Sequence, residues 1–79
     1  MRPNEISYKV IGAAMDVHTA MGPGLVESAY EKCLCRALTK AGLHFRRQVP
    51  LPVTYDGVQI SPAYKADFIV EDLVVVEIK

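Results

Sequence analysis

The sequence predicts an α+β fold, with two N-terminal helices packed on a three-stranded antiparallel meander. Apolar residues recur at helical spacing from Ile6 to Ala41 and in alternation from Phe45 onward. Between two alternating runs stands Asp56-Gly57, a pair suited to a tight hairpin turn whose two central residues need positive φ.

The first helix carries Ile6, Val10, Ala13, Ala14, Val17 and Met21 on one face. Asn4 is the expected N-cap, because its side chain can accept a bond from a first-turn amide. Gly22-Pro23-Gly24 ends the helix. The second helix follows at once, with Val26, Tyr30, Cys33, Leu34, Ala37, Leu38 and Ala41 along one side and Gly42 as its stop. Lys32, Arg36 and Lys40 lie on the opposite side and, with Arg46 and Arg47, form a locally basic region. That region could meet phosphates or could simply be a solvated face.

The second half reads as strands: Phe45 to Tyr55, the return through Val58 and Ile60, Tyr64 to Val70, and Leu73 to Lys79. Pro50 and Pro52 cannot donate ladder bonds, so their strand is expected at an edge or irregular. Ser61-Pro62 is expected to break the chain. The run Val74-Val75-Val76 reads as a strand covered on both faces.

With 79 residues the chain is one domain, spanning 1–79. An apolar fraction of 51% and a mean hydropathy of +0.16 argue against intrinsic disorder. Nine basic residues balance nine acidic ones, so there is no global field to draw in nucleic acid. No apolar run approaches the roughly 20 residues of a membrane span. The start lacks the apolar stretch of a signal peptide. The expectation is a soluble, cytoplasmic protein. Cys33 and Cys35 point about 200° apart on the second helix, so they share neither a disulfide nor a metal within it. Cys33 is expected to fill core and Cys35 to face outward. His18 and His44 show no ligand-like spacing to either.

Chemistry concentrates in three ionisable residues within apolar strand sequence: Asp67, Glu77 and Lys79. A carboxylate closing a valine run is costly to bury without a partner, a cost often retained for function. Glu77 and Lys79 share a strand face. Asp67 joins them only if it stands opposite Glu77, which needs a three-residue loop, Glu71 to Leu73, or a bulge. A two-residue loop would set Asp67 against Val76 and separate the acids. In the even register two hard carboxylates suit Mg²⁺ or Mn²⁺. Lys79 would then stabilise developing charge or orient the attacking water. The plainer alternative is a strand-face ion pair. Glu27, in the first turn of the second helix, could reach the same ion or merely offset the helix dipole. Tyr30 reads as core with its hydroxyl bonded.

Gly24-Leu25-Val26-Glu27-Ser28-Ala29-Tyr30 resembles the signature of the GxxExxY family. Asn4-Glu5-Ile6, Val17-His18, Gly22-Pro23-Gly24, Gln48-Val49-Pro50-Leu51-Pro52, Tyr64-Lys65-Ala66-Asp67 and Val76-Glu77-Ile78-Lys79 fit it too. The resemblance covers essentially the whole chain. It implies a PD-(D/E)XK nuclease-like, restriction-endonuclease-like core and a metal-dependent phosphodiesterase acting on DNA or RNA. By the same resemblance Asp67, Glu77 and Lys79 match the catalytic strand motif, and Glu27 matches the helix acid that completes the metal ligands. The sequence departs from the family pattern in stopping at the motif lysine, so the core is expected to be incomplete, without its C-terminal helix and strand. Truncation is expected to weaken or abolish turnover and to leave Leu73 to Lys79 as an open edge that pairs with a second copy. The alternative function is a non-catalytic nucleic-acid-binding or protein-interaction module on the same scaffold.

Overall fold

The computed structural model describes residues 1–78, and the side chains of all of these except residues 61–63. Helix α1 spans Pro3–Met21 and α2 Glu27–Lys40; strands β1 Phe45–Tyr55, β2 Val58–Val70 and β3 Val74–Val76 follow. The three strands form one antiparallel sheet in the order β1-β2-β3. The α+β architecture predicted from the sequence is the one observed.

The N-cap of α1 is Arg2, not Asn4, and it makes no side-chain capping bond. Pro3 explains the earlier start: its fixed φ suits the first helical position, and it has no amide there to leave unbonded. Ile6, Val10, Ala13 and Val17 are buried as their spacing requires, whereas Met21, in a last turn that runs past the core, is exposed. On α2 the buried pair is Leu34 and Leu38. They swing the helix so that Cys35, rather than Cys33, packs against the core. Burial pushes the Cys35 thiol up, with Glu31 adding to the effect and Arg47 opposing it. The stop is a Schellman motif: Gly42 N–H bonds Thr39 O at 3.0 Å and Leu43 N–H bonds Leu38 O at 3.1 Å. Gly42 adopts φ 78, which explains why glycine stands there, and the motif tucks Leu43 into the core.

Asp56 and Gly57 both take positive φ, and Tyr55 pairs with Val58 across the two-residue turn. The Pro50–Pro52 stretch lies on an edge strand, as expected, and the register shifts between Leu51 and Val53. Ser61-Pro62 does not end a strand. β2 runs through it and absorbs two more residues than β1 across that shift.

Ala66, Phe68 and Val70 of β2 are buried beneath the helices, where Phe68 meets Phe45 edge-to-face at 5.7 Å. Val74 and Val76 pack on the same core. Val75 is exposed, so the valine run is covered on one face only. β3 is also shorter than the predicted Leu73 to Lys79, because the chain leaves the ladder after Val76.

Candidate active site

The turn between β2 and β3 decides where the acids lie. Glu71 and Asp72 take φ 55 and 56, and Leu73 N–H bonds Val70 O at 3.1 Å. A two-residue turn would pair Val70 with Leu73. Instead Val70 pairs with Val74, Ile69 with Val75 and Phe68 with Val76, so Leu73 is an extra loop residue. This is the even register that the site requires, but the ladder ends at Phe68–Val76 and Glu77 lies just beyond it, so Asp67 and Glu77 are not paired across the strands. Glu71 can hold its unusual backbone because it is tied at both ends. Its N–H bonds His44 O at 2.8 Å, and its Oε2 accepts from His44 N–H at 2.6 Å.

Glu77 follows β3 directly. With Glu27, Tyr30, Val76 and Ile78 it lines a cavity of about 440 Å³ between the two helices and the end of the sheet. Glu27 reaches that cavity because it opens α2, one turn before Tyr30. The Tyr30 hydroxyl donates to Ala14 O at 3.3 Å and binds α2 to α1. Glu27 and Glu77 are both exposed. The half-buried Asp67 is on the strand face away from the helices, since its neighbours Ala66 and Phe68 face them. Its Oδ2 accepts from Ile78 N–H at 2.8 Å, which anchors the segment that carries Glu77.

The structure thus brings Glu27 and Glu77 to one cavity and joins Asp67 to it through the Ile78 amide. Among the described residues no three His, Cys, Asp or Glu side chains are grouped as a metal cluster. Lys79 lies outside the described residues. Asp67 Oδ1 and Glu77 Oε2 accept no hydrogen bond among the described residues. Carboxylate oxygens with free lone pairs are the donor type that Mg²⁺ and Mn²⁺ prefer, and Glu27 and Glu77 bring that type to the cavity while Asp67 stands on the other face of β2.

Two participants were given no role in the sequence. The Tyr64 hydroxyl donates to Glu77 Oε1, a contact that strand alternation gave no reason to expect. Glu31 accepts from Arg47 and Gln48, and only its place one turn beyond Glu27 could have flagged it. The basic region is smaller than the sequence implied. Arg47 pairs with Glu31 and Arg46 with Asp72, which leaves Lys32, Arg36 and Lys40 as its exposed part on α2.

A family model for the PD-(D/E)XK nuclease superfamily matches residues 4–79. The chain belongs to that superfamily. Neither the curated proteins nor the solved structures contain a significant match to the chain. Superfamily membership makes the fold nuclease-like, and no described helix is long and apolar enough to cross a membrane. Divalent metals are general among nucleases of this superfamily.

Proposed function

We propose that this chain is a divalent-metal-dependent nuclease domain of the GxxExxY type, cleaving phosphodiesters in DNA or RNA in the cytoplasm. Glu27, Asp67 and Glu77 hold Mg²⁺ or Mn²⁺, and Lys79 supports the nucleophile. The observation that carries this reading is the shared cavity of Glu27 and Glu77, with Asp67 tied to the neighbouring Ile78 amide.

A bound ion supplies Lewis-acid polarisation of the phosphate and acidifies water. The protein supplies position. Asp67 anchors the Ile78 amide, Tyr64 orients one oxygen of Glu77, and Tyr30 holds α2 against α1 so that Glu27 stays over the cavity. The exposed Lys32, Arg36 and Lys40 offer phosphate contacts on the outer face of α2. The outer edge of β3, unpaired among the described residues, is proposed to add a strand from a second copy. Sedimentation at rising concentration should then show a dimer; a monomer throughout rejects it.

The function is tested by incubating single- and double-stranded DNA and RNA with Mg²⁺ or Mn²⁺. Cleavage is expected with the wild-type chain and loss of cleavage with Glu77→Gln and Lys79→Ala. Cleavage that survives both substitutions would remove these residues from the mechanism. No cleavage of any substrate would reject the enzyme reading for this chain.

A further inference from the structure

Glu31 lies one helical turn beyond Glu27, and its side chain is only 14% exposed. A single oxygen, Oε1, receives three donors from β1. Arg47 Nε and one terminal Arg47 nitrogen lie at 3.2 and 3.1 Å, and Gln48 Nε2 lies at 3.1 Å. Arg47 and Gln48 are consecutive strand residues, and consecutive residues of a regular strand point to opposite faces. Arg47 pairs with Phe68 and so occupies the helix-facing side. Gln48 reaches the same acceptor only because its φ is 51, a left-handed value that a glutamine rarely adopts. The kink sits between the pairs Arg47–Phe68 and Val49–Ala66, abreast of Asp67.

Charge pairing does not require this kink, since Arg47 alone would neutralise Glu31. Core burial does not require it either, since Gln48 is exposed. Backbone strain of this kind persists where the surrounding structure needs a particular geometry. What the added bond constrains is α2. Residues four apart share a helix face, so fixing Glu31 on β1 fixes the side of α2 that presents Glu27.

We propose that Glu31, Arg47 and Gln48 form a positioning lock that sets α2 over β1 and aims Glu27 into the cavity opposite Glu77. The proposal rests on reading that cavity as the metal site. None of the three lines the cavity, so the lock acts through Glu27 and is not catalytic.

Two readouts test it in the full chain, on Gln48→Gly, Glu31→Gln and the control Arg46→Ala, which removes only the exposed pair with Asp72. Residual dipolar couplings give the orientation of α2 against β1 and β2 without metal, and electron paramagnetic resonance gives Mn²⁺ affinity. Glycine accepts the left-handed φ, so Gln48→Gly should melt at or above the wild-type temperature. It should nevertheless shift the α2 couplings and weaken Mn²⁺ about tenfold, the scale on which ligand-orienting residues act. Glu31→Gln should move both readouts the same way, and Arg46→Ala neither. Unchanged α2 couplings in Gln48→Gly overturn the lock. Changed couplings with unchanged Mn²⁺ affinity overturn its link to Glu27. If the wild-type chain binds no Mn²⁺, the metal-site reading fails, and the couplings alone then decide whether the lock exists.

Discussion

The two halves of the β1–β2 hairpin have the same alternation and opposite fates. Near the helices Ala66, Phe68 and Val70 are fully buried. Toward the tip Val53, Tyr55, Val58 and Ile60 also share one face, since Val53 pairs with Ile60 and Tyr55 with Val58. Yet Tyr55 is 75% and Val58 60% exposed. Length accounts for the difference. At 11 residues β1 extends about 36 Å, most of the 45 Å long axis of the molecule, while the 19-residue α1 extends about 28 Å. The helices cover only part of the hairpin, and they cover the end that adjoins the acids. Alternation establishes that a strand has an apolar face; a neighbouring element decides whether that face is a core.

The sharpest way to break this comparison is truncation at matched positions. Phe68→Ala should cost about 3–5 kcal/mol, much of the roughly 4–12 kcal/mol available to a domain of this size. Ile60→Ala, on the arm, should stay within about 0.5 kcal/mol. Urea unfolding measures both, and equal losses would mean that the arm is covered after all.

A smaller effect separates structure from chemistry at the near end. Asp67→Ala removes the acceptor for the Ile78 amide and should destabilise by about 1–2 kcal/mol. Asp67→Asn keeps an acceptor oxygen and should stay closer to wild type while losing metal response. Equal destabilisation by the two would show that the negative charge, rather than the bond, anchors Ile78.

The smallest effect concerns Cys35, half-buried on α2 near Arg47 and Glu31. Its thiol titrates above its ordinary value of 9.0 because burial disfavours the thiolate. The folded state therefore holds this proton more tightly than the unfolded state. The resulting stabilisation is fully present below pH 9.0 and fades as pH rises through the folded value. In a Cys33→Ser background, alkylation of Cys35 at pH 8 should be slower than in the urea-unfolded chain, and Cys35→Ala should flatten the alkaline loss of stability. A rate equal to the unfolded chain's would show an unburied thiol.

Much of the framework was legible in local chemistry. Asp56-Gly57 and Gly42 mark their turns because few other residues tolerate the backbone required there. The carboxylates Asp67 and Glu77 stood out because valine-rich strands seldom carry charge. The register between them was legible only as a choice, since one extra loop residue, Leu73, reverses which side chains share a face. Other features had no local signature. Arg2 replaced Asn4 as the cap because Pro3 had already fixed the first turn. Cys35 replaced Cys33 against the core because the Leu34–Leu38 axis sets how α2 rolls. The Tyr64 bond to Glu77 and the kink at Gln48 are tertiary facts that no spacing along the chain records.

The central claim is that Glu27, Asp67 and Glu77 act as one site. Carbon-detected NMR of their side-chain carboxyl groups during a Mg²⁺ titration tests it most directly. The three resonances should shift together along a single saturable curve, with the Ile78 amide following. Carboxyl signals that stay in place at millimolar Mg²⁺, or a Glu27 that ignores an ion to which Glu77 responds, would contradict it.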